Sequence, residues 1–290
     1  MFPPGNVRSR TVFGTIARRG PDRQGGAALT IMGAGRTLRY MKRVLTLAAL
    51  LVLLAAPAAQ AAALPFGPGE KLSYKLYWTF ILAGSATLET LDSEPVEGRP
   101  ALHFRALAKS TPFIDTFYKV RDSIESWVDP EVTHAILYRK DQSEGDYVRH
   151  YLVRFDANGN VAYRYSKGAL KNAVIIRQGT FDPLSMLFLF RTKPLAVGYQ
   201  FAAPVTDGDK SVTGTAKVVR RERVKTPAGE FDTLLVEPDV RDIGGVFRKS
   251  PDATLQVWIT DDARRIPVRV KSKVAVGHFS MELTGYEPPR

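Results

Sequence analysis

Pro267-Val268-Arg269-Val270-Lys271-Ser272-Lys273-Val274-Ala275-Val276 is the stretch on which the fold of this chain turns. Val268, Val270, Val274 and Val276 share one side of an extended backbone, and Arg269, Lys271 and Lys273 take the other. Period two is the mark of a strand with one face buried and one in water. The flanking runs repeat it. Leu255, Val257 and Ile259 alternate with Thr254, Gln256 and Trp258, and Phe279, Met281 and Leu283 oppose His278, Ser280 and Glu282. Asp261-Asp262-Ala263-Arg264-Arg265 makes the turn before the quoted run. Pro267 stands at the strand's start, where a missing N–H does least harm.

Working outward, similar runs cover about 71–78, 83–91, 101–108, 134–139, 146–155, 161–165, 173–177, 199–204, 213–224 and 231–238. Turn chemistry falls between them, as in Asp156-Ala157-Asn158-Gly159-Asn160, Asp207-Gly208-Asp209 and Pro227-Ala228-Gly229. Short turns join antiparallel neighbours, whereas parallel ones need long crossovers. The expected fold is therefore mainly β: an antiparallel, strongly curved sheet or barrel of about a dozen strands, closure hiding edges that would aggregate. Two segments break the pattern. Asp182-Pro183-Leu184-Ser185-Met186-Leu187-Phe188-Leu189-Phe190-Arg191 opens with a capping aspartate and a proline at the first helical position, then turns apolar on every side. Thr111-Pro112-Phe113-Ile114-Asp115-Thr116-Phe117-Tyr118 opens the same way. One or two short buried helices are thus expected, plugging the barrel or covering one opening.

Ahead of the strands lies a different kind of sequence. Met41-Lys42-Arg43 is basic, Val44 to Ala56 is apolar, Pro57 breaks the helix, and Ala59-Gln60-Ala61 is a small-x-small site. These are the parts of a secretory signal peptide over residues 41–61, with cleavage between Ala61 and Ala62. Thirteen apolar residues are too few for a transmembrane helix, which needs about 20. Residues 1–40, rich in Gly and Arg and without apolar periodicity, read as a gene-model extension or disordered segment. Residues 62–290 read as a single β-rich domain. The expected location is the periplasm.

The net charge of +12 over 290 residues is unevenly spread. Residues 1–40 hold seven arginines against one acid, Asp22, and Lys42 and Arg43 follow. Residues 62–290 keep a net of only +4, so a nucleic-acid partner is not expected. There is no cysteine. Disulfides, thiolate nucleophiles and lipidation at a cysteine after the signal are excluded, and the mature chain is expected to carry no transmembrane segment.

Gly69-Glu70-Lys71-Leu72-Ser73-Tyr74, the later Gly84, Phe181-Asp182-Pro183-Leu184-Ser185, Thr226-Pro227-Ala228-Gly229-Glu230-Phe231, Trp258-Ile259-Thr260-Asp261-Asp262 and Arg265-Ile266-Pro267-Val268 form an ordered set. Together they resemble the bacterial family of domain of unknown function 3108. The resemblance spans essentially the whole of residues 62–290 and implies an envelope protein of Gram-negative-type bacteria. It implies no activity and no catalytic residues.

No catalytic constellation emerges from the residues themselves. His103, His134, His150 and His278 are scattered singly, without a spacing that would put two on one face, so no metal site is expected. Asp182, Asp261 and Asp262 could serve a hydrolase as acid and base, yet each stands where a cap or a turn already wants an aspartate. Val218-Val219-Arg220-Arg221-Glu222-Arg223-Val224-Lys225 could meet acidic headgroups or form a solvated strand face. Fifteen Phe, eleven Tyr and three Trp make an aromatic load that suits a greasy cavity as well as a filled core. The expectation is a non-enzymatic periplasmic protein that binds an apolar or lipid-like ligand or assists envelope assembly, without a cofactor. Its ligand-binding residues and oligomeric state are not readable. The alternatives are a periplasmic hydrolase using carboxylates and a scaffold or partner-binding module.

Overall fold

Val268 and Val274 are buried while Lys271 and Lys273 stand in water, so the alternation at 267–274 is that of a half-buried strand. The computed structural model describes residues 63–241, 252–274 and 277–290. The signal segment, Ala61, Ala62 and Val276 lie outside the described residues.

Fourteen strands follow one another: β1 (Lys71–Trp78), β2 (Ile81–Leu91), β3 (Leu102–Ser110), β4 (Arg121–Val128), β5 (Ala135–Glu144), β6 (Tyr147–Asp156), β7 (Val161–Ser166), β8 (Ala169–Ile175), β9 (Gln200–Thr206), β10 (Ser211–Thr226), β11 (Gly229–Pro238), β12 (Thr254–Thr260), β13 (Pro267–Val274) and β14 (Gly277–Glu287). All belong to one antiparallel sheet with the order β8-β7-β6-β5-β4-β3-β2-β1-β14-β13-β12-β11-β10-β9. Two meanders, β1 to β8 and β9 to β14, are thus joined by the pairing of the first strand with the last. Lys71 lies opposite Glu287 and Trp78 opposite Phe279.

β8 and β9 end the strand order, and no ladder joins them among the described residues. Their surroundings nevertheless touch. Asn172 Nδ2 of β8 donates to the carbonyls of Gly208 (2.9 Å) and Asp209 (3.0 Å) in the turn after β9. Arg177, just past β8, donates to Thr213 Oγ1 of β10 at 2.5 Å.

Two helices interrupt the strands, α1 (Pro112–Asp115) and α2 (Pro183–Arg191). The Asp182 side chain accepts from the backbone N–H of Leu184 (2.8 Å) and Ser185 (2.9 Å), and Ser185 Oγ accepts from the Asp182 N–H (3.1 Å). This capping box satisfies three donors that would otherwise be orphaned at the helix start. Just ahead, Phe181 pairs in parallel with Val205 of β9. α2 packs against β3, β4 and β9, where Phe188 stacks on Phe104 with centroids 3.6 Å apart and meets Phe66 edge-on. One core results, shared by α2 and by strands of both meanders, including Leu72, Val128, Val153, Leu234, Ile259 and Leu283.

α1 corrects an expectation, for none of its residues is buried. The chain leaves β3 and re-enters the adjacent β4, about 4.8 Å away, where the Ser110 N–H already donates to the Val120 carbonyl. So short a span gives one helical turn at the sheet's end and no reach to the core. β4 is a second departure, a strand absent from the expected set. Its core-facing row runs Ile124, Ser126, Val128, and the serine interrupts the apolar alternation; the large apolar Trp127 faces the other way.

Candidate functional site

Antiparallel order sends alternate connections to opposite ends of the sheet. The β1–β2, β3–β4, β5–β6, β7–β8 and β13–β14 connections therefore share one end. The exposed large hydrophobic residues gather there: Trp78, Phe80, Ile81 and Leu82 at the first turn, Phe113, Phe117 and Tyr118 at α1, then Tyr147, Val148, Leu170 and Phe279. Among the described residues only Leu107, Ile175 and Val197 are exposed large hydrophobic residues elsewhere. Phe80 is 93% exposed. It follows Thr79, whose φ of 57° lies in the left-handed region that a β-branched residue rarely adopts. Two-residue hairpin turns favour Asn-Gly or Asp-Gly; Thr79-Phe80 gives up that chemistry and presents a phenyl ring to solvent. In α1, Phe113 and Phe117 stand edge to face, centroids 5.5 Å apart, and both are exposed.

The rim is tied down by its own hydrogen bonds. Thr79 N–H donates to the His278 carbonyl at 2.8 Å, and Thr111 N–H to the Ala83 carbonyl at 2.9 Å. Gly145 N–H donates to the Lys119 carbonyl at 2.8 Å. Asp115 binds Arg121 (2.6 Å) and accepts from Ser110; the Arg121 hydrogen bond, then that of Ser110, lowers its carboxyl to about 2.

The aspartates weighed for acid–base chemistry lie apart. Asp182 is fully buried and accepts at Oδ2 from Ser126 Oγ (2.5 Å) and Ser185 Oγ (2.7 Å). Burial pushes its carboxyl above the ordinary value, although four donors oppose the shift. Nearby Tyr138 is raised well above its usual value, mainly by burial. Asp261 takes Arg221 Nε at 2.5 Å. Asp262 takes Thr260 Oγ1 (2.8 Å) and Arg264 Nε (2.9 Å); burial opposes ionisation there, but those hydrogen bonds outweigh it and lower the carboxyl. Asp182 begins α2, whereas Arg191 at its far end donates to the Arg264 carbonyl at 3.0 Å. Nine residues at about 1.5 Å each put some 13 Å between those ends. The structure does not bring Asp182 together with Asp261 and Asp262.

The histidines are also dispersed. His103 is buried against Trp127, rings stacked at 4.4 Å, with Glu125 Oε2 2.9 Å from its Nε2. His134 contacts Thr133 and His150 contacts Asp141, each at 2.9 Å. His278 lies across from Lys273. The basic run on β10 finds acids: Arg220 pairs with Glu222, Arg221 with Asp261, Arg223 with Asp232 and Lys225 with Glu230. An open groove of about 410 Å³ over β9, β10 and β11 is lined in part by Phe201, Lys217, Glu237 and Asp239.

Two groups were missed by sequence reasoning. One is the aromatic rim, whose signal was available in the Thr79-Phe80 turn without glycine or asparagine. The other is the fully buried Arg191–Glu70 pair, bidentate at 2.8 Å for both bonds, with Arg191 also donating to the Pro65 carbonyl at 3.0 Å. Residues 121 positions apart in sequence leave no local pattern.

This is the architecture of an antiparallel β-sheet protein built from two meanders that share a core with the helix α2, with an aromatic rim at one end of the strands. The chain belongs to the family described as protein of unknown function (DUF3108), whose model matches residues 73–284. Among solved structures, it is similar to a β-barrel-like protein of domain of unknown function DUF1849 from Brucella abortus. That match has 10% identity, covers 77% of this chain and 98% of that chain, and has a TM-score of 0.49. A protein described as exported, with a YmcC-like fold, from Bacteroides fragilis matches at 11% identity over 77% of this chain and 97% of that chain, with a TM-score of 0.35. No curated protein sequence matches the chain.

Proposed function

We propose that this protein is exported by the signal at residues 41–61, cleaved between Ala61 and Ala62, and works in the periplasm as a single β-rich domain over residues 62–290. It acts there as a non-enzymatic protein that binds an apolar or lipid-like molecule. The observation that carries this is the gathering of Trp78, Phe80, Phe113, Phe117 and Phe279, exposed, at one end of the strands. Such exposed apolar surface marks an interaction site. The separation of Asp182 from Asp261 and Asp262 favours binding over carboxylate hydrolysis.

A curled sheet belongs to the same proposal. Laid flat at about 4.8 Å per strand, β8 and β9 would stand some 60 Å apart, yet Asn172 reaches the turn after β9 at 2.9 Å. That contact, and the packing of α2 on both β3–β4 and β9, support a sheet coiled about α2 in the manner of a barrel. Native mass spectrometry of the protein secreted into a bacterial periplasm and purified without detergent tests the proposal. A chain beginning at Ala62 with bound mass removable by organic solvent is expected. An intact N-terminus would sink the export reading, and an apo mass unchanged after incubation with fatty acids and phospholipids would sink the ligand.

A further inference from the structure

The rim's exposed rings do not line a slot on one element. They sit at separate places, the β1–β2 turn, α1, the β5–β6 turn and the start of β14, with the apolar Leu170 at the start of β8, all at the same end of the strands. Points spread over so many tips meet a plane better than a groove or a single peptide. Cations stand directly behind them. β3 and β4 place Lys109 opposite Arg121, whose charge is met by Asp115 while that of Lys109 faces water. Lys273 lies opposite His278, and Lys119 follows the last aromatic residue of the α1 segment; Lys109, Lys119 and Lys273 are all exposed. The acids at this end are mostly engaged: Asp115 is held by Arg121, Asp122 accepts from the Ser143 N–H, Asp141 meets His150, Glu144 accepts from Gln142 and Asp209 from Arg164, while Asp146 and Asp207 stand in the β5–β6 and β9–β10 turns. Aromatic rings flanked by lysines are the chemistry of a surface that settles at the headgroup boundary of a bilayer, where anionic lipid attracts each nearby cation.

We propose that this end of the protein docks flat on an anionic phospholipid bilayer, Phe80, Phe113 and Phe117 entering the headgroup boundary and Lys109, Lys119 and Lys273 meeting the phosphates behind them. The inference rests on the rim as the lipid-facing end and adds its partner, a membrane plane in place of a single molecule. No helix among the described residues is long and apolar enough to cross a membrane, so the contact is a peripheral one made by side chains.

The test is flotation of the periplasm-purified protein with phosphatidylglycerol vesicles and, separately, with phosphatidylcholine vesicles. Intrinsic fluorescence is read in parallel. Trp127 and Trp258 are buried and Trp78 is 43% exposed, so a blue shift on adding vesicles reports the rim. Co-flotation with phosphatidylglycerol, weakened by salt, is expected. The double variant Phe80→Ser with Phe117→Ser should bind at least about tenfold more weakly, and Lys109→Glu with Lys119→Glu should erase the preference for phosphatidylglycerol. Circular dichroism and thermal midpoint of the variants should match the parent, because the altered side chains are exposed. Absent flotation, or flotation indifferent to the Phe80 and Phe117 changes, overturns the proposal. So does a parent dimer that these changes convert to monomer, which would give the rim to a second copy of the chain. Failed flotation alongside a retained lipid adduct in the native mass spectrum would overturn docking and leave the ligand-binding reading standing.

Discussion

α1 and α2 begin alike, Thr111-Pro112 and Asp182-Pro183, a capping side chain followed by proline, and end in opposite surroundings. In α2 the cap carboxylate lies in the core and is pushed up by burial. In the α1 segment Asp115 lies at the surface and is pulled down to about 2, first by its hydrogen bond to Arg121. Phe188 of α2 stacks on Phe104 in the core, whereas Phe113 and Phe117 stand in water. Cap chemistry therefore fixes where a helix starts and says nothing about whether it is buried. Burial is decided by where the flanking chain must go: α1 returns at once to the neighbouring strand, while α2 is carried across by Phe181 pairing on the free edge of β9.

The largest expected break in this contrast is Arg191→Ala, which leaves Glu70 buried without its partner and unpins the end of α2. Urea unfolding should show a loss of about 3–5 kcal/mol, the cost of breaking a buried pair. Asp182→Ala comes next. It strands Ser126, Ser185 and two backbone donors, and about 2–3 kcal/mol should be lost. Asp182→Asn, whose amide still accepts from the helix start, should lose under about 1 kcal/mol; a larger loss would mean that the charge itself is needed. At the surface helix, Thr111→Ala removes a long cap bond to Ile114 and should cost about 0.5–1 kcal/mol, and Phe117→Ser should stay within about 0.5 kcal/mol of the parent.

The two aspartates also predict opposite pH limbs. The folded-state pKa of Asp182 lies above its unfolded value, near 3.9, so the folded protein binds more protons in the interval between them. Stability from this group is greatest on the acid side and falls as pH rises through that interval. Asp182→Asn should flatten that fall in urea midpoints taken upward from pH 4. Asp115 works the other way: its contribution is present above the unfolded pKa and is lost as pH falls toward about 2. Asp115→Asn should therefore alter only the acid limb. Identical limbs in the two variants would erase the distinction between the helices.

Most strands were legible because period two survives wherever one face meets the core and the other meets water, as at Val268 and Lys271. β4 was not, because its core-facing row contains Ser126, which is there to bond Asp182 rather than to fill space. Asp182 itself was read correctly as a cap, and the burial of α2 followed from its lack of a polar face. The exposure of α1 was misread from the same kind of sequence, since four helical residues carry too little pattern to reveal a face. At the rim the strand pattern misled as well: Phe279 continues the apolar alternation of Met281 and Leu283 yet stands 41% exposed, because it lies past the end of the core.

The meeting of β1 and β14 at the centre of the sheet has a consequence for the order of assembly. Each meander is contiguous in sequence, so β1 to β8 and β9 to β14 can form from local hairpins. Their seam joins Trp78 to Phe279, about 200 residues later. At a synthesis rate of roughly 5–20 residues per second, β1 waits on the order of ten to forty seconds for its second neighbour. A contact so distant in sequence closes slowly, and until it closes, both half-sheets carry an open edge able to pair with another chain. A chain stopped before β14 would therefore be expected to aggregate rather than to persist as a smaller folded protein.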